Sequence, residues 1–251
     1  VDIDLDFGNS CNKEEMLESR SVINAEILNY MFTQGYTLSP NTKNPHSLDS
    51  WAFYYQNAGG NKDNIKIEIN YSMRNHIYLP VKVKTSIAFF PSVEIQALAP
   101  LELFGSKIKA LIERTAARDL YDVANMLALR IFPEEQFTAL RKVILFYLAV
   151  GGSKPPKTVY ENFETIDKLK FAQIRANLIP VLRKSEHFDF ETAKRGVKKF
   201  LSEILVFTQR EKVFVEEFNN QKFIPGLLFD DPEIIGRIKN HPMAIWKTRH
   251  Q

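Results

Sequence analysis

A single cysteine, Cys11, stands in a chain of 251 residues. One thiol excludes an internal disulfide and any zinc site built on several thiolates, and it fits a reducing compartment. Cys11 lies beside a helix start with no activating partner, so a catalytic thiol is not expected. The five histidines, His46, His76, His187, His241 and His250, show no paired ligand spacing, and no zinc site is expected from them. No apolar run approaches the roughly 18 residues of a membrane span. The longest, Val143 to Val150, is far too short. No membrane role and a cytoplasmic location are therefore the expectation. No signal peptide is visible, and there is no repeat of fixed period and no low-complexity tract. The chain has no initiator Met and opens in mid-strand, so further residues upstream are expected. The net charge of +3 is too mild to argue for a nucleic-acid partner, though it permits one.

What the chain does have is the composition of a globular protein, 45% hydrophobic and 25% charged, with nineteen phenylalanines to fill helical cores. Val1 to Phe7 alternates apolar residues with aspartates, the period of a half-buried strand. Lys13 to Thr33 carries Met16, Ile23, Ile27, Leu28 and Met31 at helical spacing, with Gly35 as a stop. Ser47 to Gln56 and Ile65 to Met73 read as two strands of a hairpin around the turn-rich segment Asn57 to Asn64. Val81 to Thr85 and Val93 to Leu98 are shorter strands, and Pro100 suits a helix's first turn. Beyond it the pattern predicts helices over Leu101 to Arg114, Arg118 to Leu129, Glu134 to Val150, Val159 to Phe171, Ala172 to Leu178, Phe190 to Arg210 and Lys212 to Asn219. The segment Gly151 to Pro156 separates a mixed α/β part from a helical part.

Three clusters carry chemistry. Strand alternation puts Asp2, Asp4 and Asp6 on one face, with successive acids about 6.5–7 Å apart at Cα. Clustered acids repel unless a cation compensates, and a hard divalent ion with oxygen ligands is the usual remedy. An Asp-x-Asp pair can hold a nucleotide's phosphates on such an ion. A solvated polar face on an edge strand explains the same pattern. In Ile65 to Asn70, Lys66, Glu68 and Asn70 share one face, making Glu68 a candidate third carboxylate and Lys66 a phosphate contact, or an ordinary solvent face. In the third cluster Lys107, Leu111 and Arg114 share one helix face, and Asp119 and Asp122 share a face of the next helix. Lys107 could bind a triphosphate, with Asp119 as a base or as its orienting partner. Equally, Asp119 suits a first helical turn, paired with Arg114 or Arg118. The basic group Lys194, Arg195, Lys198 and Lys199 is a solvated face or an RNA-backbone contact. Trp51, Tyr54 and Tyr55 suit core or hairpin packing better than base stacking.

The ordered set Val-Asp-Ile-Asp-Leu-Asp-Phe, Lys-Ile-Glu-Ile, Glu-Leu-Phe-Gly-Ser-Lys-Ile-Lys-Ala-Leu and Arg-Asp-Leu-Tyr-Asp resembles the AbiEii family of nucleotidyltransferase toxins, most clearly over residues 1 to about 130. The resemblance implies an α+β fold: a polymerase β-like nucleotidyltransferase core with a mixed sheet and flanking helices over 1–130, then an all-helical C-terminal domain over 131–251. Asp2 and Asp4 match the family's metal-binding pair, for Mg²⁺ or Mn²⁺. Lys107 and Asp119 match its later catalytic Lys and Asp, Glu68 a position in the second motif, and Asp122 the end of the Arg-Asp-x-x-Asp element. The family places a Gly-Ser-type element before the Asp-x-Asp, and this chain begins after that point.

The activity implied is transfer of a nucleoside monophosphate from an NTP to an acceptor such as tRNA or another RNA. The biological setting would be a bacterial toxin–antitoxin or abortive-infection system, with a winged-helix antitoxin as partner. Two other readings stand beside it: a non-catalytic nucleotide- or protein-binding member of the fold, and a small-molecule nucleotidyltransferase.

Overall fold

The computed structural model describes residues 2–8, 11–40, 42, 44–45, 47–85, 90–151 and 163–249. Val1, His46, His250, the stretch Gly152 to Pro156 and the start of the helix expected from Val159 lie outside the described residues. The architecture is α+β, as the sequence implies. It divides into two compact units, residues 1–76 with 240–243, and residues 77–239 with 244–251. The division expected at 130/131 falls inside the second unit.

In the first unit, β1 (Asp2–Asp6) leads to helix α1 (Lys13–Thr33), which occupies the span expected for it. Asn12 and Glu15 form a reciprocal cap: the Glu15 N–H donates to Asn12 Oδ1 at 2.9 Å, and the Asn12 N–H to Glu15 Oε2 at 3.3 Å. Gly35, at φ +83°, ends the helix in a left-handed turn, and the Tyr36 N–H reaches back to the Met31 carbonyl at 3.0 Å. A short strand not expected from the sequence, β2 (Thr37–Leu38), precedes β3 (Leu48–Gln56) and β4 (Lys62–Asn70). The hairpin turn is tighter than expected. Asn57 Oδ1 accepts from the N–H groups of Gly59 and Asn61 at 3.0 and 3.1 Å, so pairing resumes at Lys62 rather than Ile65.

The sheet order is β1-β4-β3-β2, with β1 parallel to β4 and the other pairs antiparallel. The odd-numbered side of β3 and β4, with Trp51, Phe53, Ile67 and Ile69, packs with Met16 and Met31 of α1 into one core. Burying each such aliphatic or Phe side chain is worth about 1.5–3 kcal/mol. Asp49 has the same parity, yet is acidic and wholly buried. Arg20 of α1 answers it: Nε donates to Asp49 Oδ2 at 2.9 Å, Nη2 to Oδ1, and the guanidinium lies 4.9 Å from the Tyr71 ring centroid. That pairing holds the Arg20 guanidinium above its usual range.

The second unit opens with a two-stranded antiparallel ribbon, β5 (Val81–Lys84) and β6 (Glu94–Ala97). Helices α2 (Pro100–Arg114), α3 (Ala117–Ala128) and α4 (Phe137–Gly151) follow. Val143 to Val150 is buried all round α4, the signature of a central core helix. Among the described residues no helix is long and apolar enough to cross a membrane. Gly105 of α2 meets α4 closely: a Cβ there would fall 2.4 Å from Val143 Cγ1. Glu102, fully buried, accepts from the N–H groups of Ile77 and Tyr78 at 2.8 and 3.0 Å and from the Tyr147 hydroxyl, tying the start of this unit to α2 and α4.

The rest of the unit departs from the expected helices. Where one helix was expected to Phe171, a single turn, α5 (Glu164–Asp167), is followed by a break and α6 (Phe171–Asn177). The helix expected over Phe190 to Arg210 ends at Ile204 as α7 (Phe190–Ile204). Thr208 and Glu211 then form a capping box that starts α8 (Gln209–Asn219). Two helices not expected, α9 (Pro232–Ile238) and α10 (Pro242–Arg249), complete the described chain. The Asp231 side chain caps α9, and Pro232 takes its first position.

Candidate functional site

The face of the first unit's sheet opposite α1 gathers Asp2, Asp4, Lys66 and Glu68 into one register. Asp2 pairs with Lys66, and Asp4 with Glu68, across the parallel β1–β4 ladder, while Glu68 pairs with Ser50 across β3–β4. Partners in register project to the same side of a sheet, so Asp2, Asp4, Lys66, Glu68 and Ser50 share one face. All of β1 is exposed. Lys66 Nζ lies 2.7 Å from Glu68 Oε2. The bond to Glu68 raises the Lys66 ammonium above its ordinary value against the cost of burial, and Asp2 and Asp4 add to the rise. Glu68 is held below the usual carboxylate range by Lys66, with a further bond from the Ser50 hydroxyl. Ser50 was not foreseen. The hairpin register, once the turn is closed at Asn57–Asn61, places it.

This donor set suits a hard divalent ion. Asp2 and Asp4 supply exposed carboxylate oxygens on one side of a strand, and Glu68 stands in register beside Asp4. Among the described residues no three acidic, His or Cys side chains converge into a cage for an ion. A magnesium ion does not ask for one, since it commonly takes one or two carboxylates and completes its shell with water and substrate phosphates. The face therefore fits a shared protein–nucleotide site.

The third cluster lies in the second unit, on α2 and α3. Lys107 Nζ donates to Asp122 Oδ2 at 2.5 Å, not to Asp119. Asp119 is instead gripped by Arg114, whose Nε and Nη2 donate to its two oxygens at 2.7 Å each. Asp119 is buried and its partner exposed, with side-chain exposures of 6% and 67%. The pairing raises the Arg114 guanidinium further above neutrality. Arg114 precedes the turn at Thr115, which stands at φ +48° and brings α3 back beside α2. Gly105, inside the Phe-Gly-Ser-Lys motif, serves the α2–α4 contact. Lys109 donates to the Gly151 carbonyl at 3.0 Å and pairs with Glu113 at 2.7 Å.

The basic group on α7 is largely engaged with its own unit. Lys194 is buried and donates to the carbonyls of Asp167 and Leu169 at 3.3 and 3.4 Å. Lys198 pairs with the Asp167 carboxylate and Arg195 donates to Thr192 Oγ1 at 3.0 Å. These contacts favour a structural face over an RNA-backbone contact.

A family model described as "Nucleotidyl transferase AbiEii toxin, Type IV TA system" matches residues 1–217. Comparison with functionally curated proteins finds no match. Among solved structures the chain is similar to MenT4, a nucleotidyltransferase toxin from Mycobacterium tuberculosis H37Rv, at 12% identity and a TM-score of 0.52, over 84% of this chain and 67% of that one. At that identity the likeness speaks for the fold. With the family match running through both units, the chain belongs to the AbiEii family of nucleotidyltransferase toxins of type IV toxin–antitoxin systems.

Proposed function

We propose that the protein transfers a nucleoside monophosphate from an NTP to an RNA acceptor, tRNA being the class expected, in a magnesium-dependent reaction. The observation that carries this reading is the β1–β4 register, which sets Asp2 and Asp4 beside Lys66 and Glu68 on one exposed face. Asp2 and Asp4 would hold the divalent ion, which supplies neutralisation of phosphate charge at the point of bond exchange. Lys66 stays protonated against three carboxylates and can bind a phosphate oxygen, while Glu68, kept ionised by Lys66 and Ser50, fixes where that ammonium points. Lys107, paired with Asp122, and Asp119, its two oxygens fixed by Arg114, are proposed to serve the reaction as the lysine and aspartate of the family's later motifs. As a toxin of a two-component system, the protein is proposed to act in the cytoplasm and to be restrained there by a winged-helix antitoxin.

The test is label transfer from each α-³²P NTP to total tRNA with magnesium present. Asp2→Asn with Asp4→Asn is expected to abolish transfer, and to abolish the rise in melting temperature that magnesium and NTP give the unaltered protein by binding its native state. Transfer at the unaltered rate by the double variant would refute the assignment of these acids.

A further inference from the structure

A cavity of about 330 Å³ lies at the turn end of the β3–β4 hairpin, lined among others by Thr37, Tyr54, Gln56 and Lys62 and by the backbone of Gly35 and Gly60. It is built entirely from the first unit. Tyr54 pairs with Asn64 and Gln56 with Lys62, so by parity these side chains share the face of Lys66 and Glu68. Lys62 Nζ sits 3.8 Å from the centroid of the half-buried Tyr54 ring. The ring's hydroxyl is steadied by Ser39 Oγ at 3.4 Å. Gly35 and Gly60 both stand at positive φ, +83° and +78°, a conformation L side chains rarely adopt, so that wall carries no side chain. The result is an aromatic plate in a shallow chamber, with a cation on a long stem already at its π-face.

Resting on the transfer reading above, we infer that this cavity is a subsite for a nucleotide of the single-stranded acceptor RNA: its base takes the place of the Lys62 ammonium on the face of Tyr54, and that ammonium swings on its long stem to the nucleotide's phosphate. Three observations select this occupant. The volume is at the small end of ligand pockets, suited to one base and its sugar and too small for a duplex. An aromatic face with an adjacent cation is what sequence-tolerant single-strand binding uses, the ring for the base and the cation for the backbone. The third is position. Tyr54 lies two strands across and two residues along from Asp2, which at sheet spacings is about 12 Å at Cα, and about 16 Å from Asp4. That is within reach of an extended strand whose 3′ end lies at the acids, and the competition arm of the experiment separates this occupant from the base of an NTP.

The experiment is fluorescence anisotropy of a short, unstructured, labelled RNA titrated with the protein in the absence of NTP. Tyr54→Ala should weaken binding about tenfold, the loss of one stacked base. Tyr54→Phe, which keeps the ring, should bind within about twofold of the unaltered protein by the same argument. Lys62→Ala should lower the slope of log affinity against log salt by about 0.7, the mark of one phosphate contact on a single strand. Asp2→Asn with Asp4→Asn should bind RNA normally while failing to transfer. If that variant transfers normally yet Tyr54→Ala still loses RNA, the transfer reading fails and the subsite stands. The subsite is overturned if Tyr54→Ala and Lys62→Ala bind RNA like the unaltered protein, or if Tyr54→Phe loses as much as Tyr54→Ala. It is also overturned if NTPs displace the RNA competitively, which would make the chamber a donor site.

Discussion

Lys107 and Asp122 meet across the turn between α2 and α3, Nζ to Oδ2 at 2.5 Å, while Asp119, one turn earlier on α3, is held by Arg114. The lysine and the aspartate that the family motifs single out are therefore not each other's partners. Each has its own.

That division changes what alanine does at two lysines of one helix. Lys107 and Asp122 are more than a third exposed, at 37% and 34%, so losing their pair should cost at most about 1 kcal/mol. Lys107→Ala is expected to keep the melting temperature and lose transfer by orders of magnitude. Lys109→Ala is the converse case. It strips the donor from the Gly151 carbonyl at the end of α4, worth about 1–3 kcal/mol if that group is left unsatisfied. Thermal melts and transfer per folded molecule, measured on both variants, should separate them. Equal transfer by the two would remove Lys107 from the chemistry.

At Gly105 the helix-propensity gain of alanine, about 1 kcal/mol, opposes a methyl group placed 2.4 Å from Val143 Cγ1. Overpacking of a close helix contact costs about 1–3 kcal/mol, so Gly105→Ala should destabilise on balance. Pairing it with Val143→Ala should recover part of the loss, which chemical denaturation of the two variants can show.

Asp49→Ala would leave the Arg20 guanidinium, 12% exposed, without its carboxylate. Breaking one side of a buried ion pair costs about 3–5 kcal/mol. Asp49→Asn keeps an acceptor oxygen and should cost less. The order of urea midpoints, unaltered protein above Asn above Ala, checks this, and equal midpoints would mean that solvent replaces the pair.

His241 is fully buried in the first unit, and burial pushes its pKa down to about 3, with His76 and Arg74 adding repulsion. The unfolded chain protonates this histidine near its ordinary value of 6.5, and the folded chain does not. Between those values the unfolded state binds the extra proton, so stability is complete above 6.5 and falls as the pH is lowered toward 3, by up to about 1.4 kcal/mol per pH unit. The lowered carboxylates, Glu68 among them, lose their contributions only at lower pH. Urea midpoints of His241→Gln between pH 7 and 5 should therefore vary less with pH than those of the unaltered protein.

The two strands of the candidate site could be read directly, because a period of two survives in any sheet. Their partnership could not. Alternation says that Asp2 and Asp4 share a face, and nothing local says that β1 lies parallel to β4 rather than beside β3. Asp49 was not singled out from the sequence, although it shares the parity of the inward Trp51 and Phe53, where a buried acid needs a cation; that the cation is Arg20 of α1 only the fold shows. The break between α7 and α8 was expected after Arg210 and lies earlier, between Ile204 and Gln209, because Val206 and Phe207 carry the apolar pattern onward past the start signal of Thr208 with Glu211. The partners of Lys107 and Asp119 depended on how α3 folds back at Thr115, a left-handed turn taken by a residue that does not advertise it.

The strand that carries Asp2 and Asp4 is bonded to β4 and to no other strand among the described residues. The core of α1, β3 and β4 does not depend on it for most of its burial. Five residues of ladder are thus what holds the acids in register with β4. A shift by one residue would send both carboxylates to the apolar side and bring Ile3 and Leu5 to the face of Lys66. Amide exchange along β1 should therefore proceed by local detachment at a lower free energy than global unfolding, and each detachment disperses the acid cluster while the unit stays folded. In the proposed reaction, nucleotide binding would then depend on how firmly one short strand stays docked, a quantity that a ligand or partner gripping β1 could move without touching the rest of the fold.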